Sequence, residues 1–147
     1  MSVPPFDPET GYLPPGEHDA SWSEVQNRFG WNAARRVLLD GLHEALRLLA
    51  DAGCTRVWLN GSFVTAKDEP GDFDAVWDDD GIDEDRVDPV FYEFADGRRE
   101  QKARFGGELF PNWIDLSSQS RFVDFFQHDI ERRAKGIVVI NPSEVPA

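Results

Sequence analysis

The chain has 147 residues, of which 40% are apolar, with eleven Phe and five Trp. That size and composition fit one folded domain that buries its core without staples, and they exclude a disordered chain. A formal net charge of −13 removes the positive field on which nonspecific nucleic-acid binding depends, so long DNA or RNA is disfavoured as a substrate.

Residues 1–20 are rich in Pro and polar groups (Pro4, Pro5, Pro8, Pro14, Pro15) and are expected to form an extended arm, pinned by Phe6, Tyr12 and Leu13. Residues 21–147 then form a single domain. Ser21 and Glu24 read as a capping box opening a helix over Trp22 to Phe29. Ala34, Leu38, Leu42, Ala45, Leu49 and Ala52 recur at helical spacing, and Gly53 is placed to stop that helix. Cys54 follows; a lone cysteine excludes an intrachain disulfide and reads as a small buried hydrophobe.

Thr55 to Leu59 is the first expected strand, and Ser62 to Ala66 a short helix after a turn. Asp72 to Trp77 is the second strand. A helix is expected from Asp88-Pro89 to about Phe94, closed by Asp96-Gly97, and another over Arg98 to Arg104. Gly107 to Phe110 is a third strand. Arg121 to Gln127 suits a short helix with Phe122, Phe125 and Phe126 on one side. Gly136 to Ile140 is the last strand. The fold class is α+β: a small mixed β-sheet packed by helices. No signal-peptide pattern opens the chain and no apolar run is long enough to span a bilayer, so a cytoplasmic protein is expected.

Charge is unevenly distributed. Asp68 to Asp88 holds eleven acidic residues and one basic residue, Arg86, whereas the remainder holds 17 acidic and 14 basic. Within the acidic run, Asp72-Phe73-Asp74 follows Gly61-Ser62 after a gap of nine residues. Alternate side chains of a strand share a face, so Asp72 and Asp74 project together while Phe73 points into the core. Two convergent carboxylates near a tight turn can hold a divalent cation against a phosphate. The bland alternative is an acidic loop entrance and a plain turn. Arg98, Arg99, Lys102 and Arg104 form the only dense basic cluster, readable as an anion site or as a solvated helix face. There is no Gly-x-x-x-x-Gly-Lys phosphate loop and no nucleophile elbow.

Gly61-Ser62, the gap, and Asp72-Phe73-Asp74 between apolar flanks resemble the signature of the polymerase-beta-like nucleotidyltransferase superfamily. The wider strings Leu59-Asn60-Gly61-Ser62-Phe63-Val64-Thr65-Ala66-Lys67 and Gln101-Lys102-Ala103-Arg104-Phe105-Gly106-Gly107-Glu108-Leu109-Phe110-Pro111, with Lys135-Gly136-Ile137-Val138, resemble a little-characterised family of small bacterial nucleotidyltransferase-like proteins. The resemblance implies a minimal nucleotidyltransferase fold, with Mg²⁺ or Mn²⁺ held by Asp72, Asp74 and a third carboxylate from a neighbouring strand. Glu108 is the choice for that third position, because Gly106 and Gly107 before it permit close backbone approach. Asp115 is its competitor, and Glu where the superfamily usually has Asp is a departure. The resemblance further implies phosphate contacts from Gly61 and Ser62, to which Lys67 can add.

Three functions remain open. The first is transfer of a nucleoside monophosphate from an NTP to a protein or small-molecule acceptor. The second is a catalytically inactive module whose acidic surface binds a basic protein partner, as an antitoxin or regulatory subunit would. The third is a nucleotide sensor without turnover. Small members of the superfamily often modify a protein or small molecule, some as parts of toxin–antitoxin or defence pairs, which is analogy alone.

Overall fold

The computed structural model describes residues 3–115, 119–129, 131 and 133–147; of Ile114, Asp115 and Phe125 only the backbone is described. Chain order is β1 (Gly16–Asp19), α1 (Trp22–Phe29), α2 (Ala33–Asp51), β2 (Val57–Asn60), β3 (Phe73–Trp77), α3 (Ala95–Phe105), β4 (Gly107–Pro111), β5 (Ile114–Asp115), β6 (Ser120–Arg121), α4 (Phe122–Phe125) and β7 (Gly136–Ile140). Five strands form one mixed sheet in the order β1-β7-β2-β3-β4. The outer pairs β1–β7 and β3–β4 are parallel, and β2 runs antiparallel to both of its neighbours. β5 and β6 form a separate two-stranded ladder. The architecture is a small mixed α/β protein, and no described helix is long and apolar enough to cross a membrane.

Strand alternation divides the core in two. Val57, Leu59, Phe73, Ala75, Trp77, Leu109, Val138 and Ile140 pack with Leu39, Leu42, Leu46 and Leu49 of α2 and with Val25 and Phe29 of α1. On the opposite face Trp58, Val76 and Ile137 meet Val123 and the rings of Phe110, Phe122 and Phe126. Among the described residues the short α4 supplies the helical cover of that second face.

The helix signals act as expected, with one change. Ser21 caps α1 by accepting from the Glu24 N–H, but the Glu24 carboxylate accepts from the Val3 N–H, so the reciprocal half of the capping box is not made. Gly53, at φ +93, lets the chain leave α2 in a left-handed turn. Gly41 has a packing reason within α2: a Cβ there would lie 1.7 Å from the Phe105 carbonyl oxygen. The chain joins the sheet at Gly16, where β1 pairs alongside β7.

The region before β4 departs from expectation. Residues 89–92 form only a 3₁₀ turn, and α3 begins at Ala95 with Asp96, Gly97 and Arg98 all left-handed (φ 52, 65 and 60). The expected break at Asp96-Gly97 is therefore present as a non-helical kink, with regular helix following it to Phe105. At the edge of the sheet, Gln101 is fully buried; its Oε1 accepts from the Leu109 N–H and its Nε2 donates to the Val90 carbonyl. A backbone donor of the edge strand is thereby closed to other strands.

Candidate metal centre

β3 carries Asp74 between Phe73 and Ala75, both fully buried in the helix-side core, so Asp74 must face the opposite side of the sheet. Asp72 lies one alternation earlier. In the parallel β3–β4 register Asp74 stands beside Glu108, and in the antiparallel β2–β3 register it stands opposite Asn60. One row across three strands thus reads Asn60, Asp74, Glu108. Asp72, Asp74 and Glu108 each offer a carboxylate oxygen, all within 4.8 Å of one another, and all three residues are half-buried.

Close approach depends on two glycines. A Cβ on Gly107 would lie 2.5 Å from the Phe73 carbonyl oxygen and 2.6 Å from its ring, so only glycine lets β4 pair here. Gly61, at φ +79, would place a Cβ 2.4 Å from Asp74 Oδ2. Gly61→Ala combines that collision with a backbone region nearly closed to L-residues. It is expected to lower stability by about 3 kcal/mol in denaturant titration and to displace Asp74.

Crowded carboxylates repel. Burial, then Asp72 and Glu108, raise the Asp74 carboxyl to about 7, and burial followed by Glu108 raises Asp72. Cations surround the cluster. Lys102 Nζ lies 3.2 Å from Glu108 Oε1, and Arg98 Nη1 lies 3.8 Å from Oε2. Lys135, just before β7, has its pKa lowered by burial while the charge of Asp74 opposes the shift, and its ammonium sits 5.3 Å from the Tyr12 ring centroid. Lys67 is exposed, and its charge favours the ionised form of Asp72.

Asn60 is fully buried, and its Nδ2 donates to the Trp58 carbonyl. Its Oδ1 is buried without a hydrogen-bond partner among the described residues. An orphaned buried oxygen is costly, and this one belongs to the residue directly opposite Asp74. The oxygen set of Asp72, Asp74 and Glu108 fits a hard divalent cation such as Mg²⁺ or Mn²⁺.

Gly61-Ser62 opens a 3₁₀ turn over Ser62–Val64, shorter than the helix expected to Ala66. Its shape is held from below by Arg35 of α2. All five guanidinium N–H bonds go to carbonyls: Nη1 to Phe29 and Phe63, Nη2 to Thr65 and Lys67, and Nε to Lys67. The guanidinium also lies 3.6 Å from the Trp31 ring centroid.

Asp115 lies in the separate β5–β6 ladder, outside the five-stranded sheet, and its side chain is outside the described residues. The basic cluster divides. Arg98 and Lys102 face Glu108; Arg104 bridges Glu44 and Asp88; Arg99 pairs with Asp96 on the surface. The acidic run divides too, since Asp78 leaves the far end of β3, four residues or about 13 Å of strand from Asp74. Asp79 there accepts from the Trp113 indole N–H at 2.8 Å.

Sequence reasoning left Asn60, Lys135 and Arg35 without roles. For Asn60 a signal exists: an amide ends an otherwise apolar strand immediately before Gly61-Ser62. Arg35 gives none, because its partners are backbone carbonyls.

The chain belongs to a family of unknown function, DUF6932, which matches residues 4–141. No curated protein matches the chain. No solved structure matches it either.

Proposed function

We propose that this DUF6932 protein is a divalent-cation-dependent nucleotidyltransferase that moves a nucleoside monophosphate from an NTP to a protein or small-molecule acceptor. The observation that carries the reading is the row on β2, β3 and β4. Three carboxylate oxygens lie within 4.8 Å of one another opposite a buried amide oxygen that lacks a partner, at the end of the sheet where the Gly61-Ser62 turn emerges. The order of Gly-Ser turn, Asp-x-Asp strand and acidic neighbouring strand supports the polymerase-beta-like resemblance and the minimal fold that goes with it.

Asp72, Asp74 and Glu108 would hold Mg²⁺ or Mn²⁺, beside Asn60, the residue opposite Asp74 in the sheet. A bound cation supplies charge compensation to phosphate oxygens and lowers the cost of leaving-group departure. The chain itself does the positioning. Gly61 lets the turn lie close against the Asp74 carboxylate, while the Ser62 hydroxyl and neighbouring amides would donate to a phosphate there; Lys67 adds charge from the loop. The acceptor nucleophile attacks the α-phosphorus in line, and the bond to the bridging oxygen breaks. Pyrophosphate departs, and the acceptor's proton passes to a carboxylate of the triad. A protein or small-molecule acceptor accords with the net charge of −13, which repels a long polyanion.

The test is calorimetric titration with each NTP, with and without Mg²⁺, followed by transfer of label from α-labelled nucleotide. Metal-dependent binding of one nucleotide, lost in Asp74→Asn, is expected. Binding without label transfer to any acceptor would favour the sensor. Absence of binding by every nucleotide would sink the site and favour a non-catalytic module for a basic partner.

A further inference from the structure

Arg98 is held in an unusual way. It is the third of three consecutive left-handed residues, two of which are not glycine. Such residues occur singly when they occur at all, and a run of them persists only where the surroundings fix it. Here the guanidinium stacks 3.8 Å from the Phe110 ring centroid, with the Phe94 ring 5.0 Å away on the same group. The side chain is 19% exposed.

For all that placement, Arg98 is poorly satisfied. Its Nε is buried and has no hydrogen-bond partner among the described residues. Its approach to Glu108, 3.8 Å, is too long for a hydrogen bond. Lys102 takes the other oxygen of the same carboxylate at 3.2 Å. Two cations therefore share one anion, and the guanidinium is the one without a hydrogen bond to it. A guanidinium fixed by ring stacking, with donors unused beside an acidic row, matches the bidentate geometry of a phosphate.

We propose that Arg98 and Lys102 form a phosphate-binding pair masked by Glu108, and that a divalent cation at the acidic row draws Glu108 away and releases the pair to an incoming phosphate group. This rests on the cation reading of Asp72, Asp74 and Glu108 and extends it, because one carboxylate cannot fully serve both. Glu108 becomes the device that makes phosphate binding follow cation binding. The aromatic surface beyond the pair, Phe94 and Trp113 with ring centroids 6.0 Å apart, continues the same strip and is exposed.

The handover predicts effects of opposite sign. Arg98→Asn keeps a residue that tolerates the left-handed backbone, and Lys102→Met alters a side chain that is 45% exposed. Binding of free Mn²⁺, followed by water-proton relaxation, is expected to become tighter by up to roughly tenfold in either variant, and more so in Lys102→Met, because Glu108 then has one competing cation instead of two. Binding of preformed Mg²⁺–tripolyphosphate, followed by calorimetry, is expected to weaken roughly 10- to 100-fold. A merely structural role would weaken both together. Unchanged tripolyphosphate affinity in both variants, with wild-type Mn²⁺ binding intact, overturns the phosphate pair and leaves the metal site standing. No Mn²⁺ binding by the wild type overturns the cation reading and the handover with it. Competition by methyl phosphate separates the two sources of phosphate: success assigns the pair to a phosphorylated acceptor, and failure assigns it to the polyphosphate chain of a nucleotide.

Discussion

Asp74→Asn is expected to make the cation-free protein more stable at pH 8, by up to about 4 kcal/mol. The Asp74 carboxyl is raised to about 7, from burial first and then from Asp72 and Glu108. In an unfolded chain the group titrates near 4. Between those values the folded state binds the proton more tightly, so stability falls as pH rises and the loss is complete above about 7. The sign is opposite to that of a salt-bridged carboxylate, whose contribution is lost on acidification. An amide at position 74 carries no charge to bury, so the variant escapes the loss. In denaturant titrations without divalent cation, the advantage of the variant should grow by roughly 3 kcal/mol from pH 5 to pH 8. Adding Mg²⁺ should reverse the ranking at pH 8 by stabilising the wild type alone. Equal pH profiles for the two proteins would show that the carboxylate cluster is not strained.

Arg35→Met is expected to cost about 4 kcal/mol or more and to unmake the segment that follows the Gly-Ser turn. Arg35 is fully buried with no acidic partner in contact among the described residues; its charge is solvated by the carbonyls of Phe29, Phe63, Thr65 and Lys67. Burial lowers its pKa to about 10, and the charge of Asp68 opposes that shift. Methionine fills much of the volume but withdraws the guanidinium from the buried carbonyls of Phe29, Phe63 and Thr65, and a buried carbonyl left unpaired costs about 1–3 kcal/mol. Arg35→Lys should recover only part of the loss, because one ammonium has three donors and no planar fork. Amide hydrogen exchange would locate the damage. Faster exchange confined to residues 61–68 and the start of α2 is expected, together with loss of nucleotide binding despite an intact carboxylate row. Unaltered exchange in 61–68 would remove Arg35 from any positioning role.

The elements were legible in this sequence wherever local rules govern them. The stripe in α2, the Ser21 cap, the strand at 136–140 and the alternation of Asp72-Phe73-Asp74 depend on periods and caps within a few residues of chain. Phe73 is in the core for that reason, and the carboxylates beside it share a face. The turn at Gly61 was legible because a Gly-Ser pair between apolar strands has few other uses.

Tertiary structure decided what depends on register and on backbone partners. Pairing of Glu108 with Asp74, while Asp115 falls in a separate ladder, follows from the β3–β4 register, which two strands sharing one alternation pattern do not specify by themselves. The basic cluster looked uniform along the chain, yet the left-handed turn at 96–98 sends Arg98 to the acidic row while Arg104 bridges α2 and the turn before α3. Arg35 was invisible because carbonyl partners leave no mark in side-chain spacing. Asn60 gained its meaning only from the residue across the sheet. Local propensity acts over a few residues, whereas convergence of Asn60, Asp74 and Glu108 is a property of three strands brought together by the folded core.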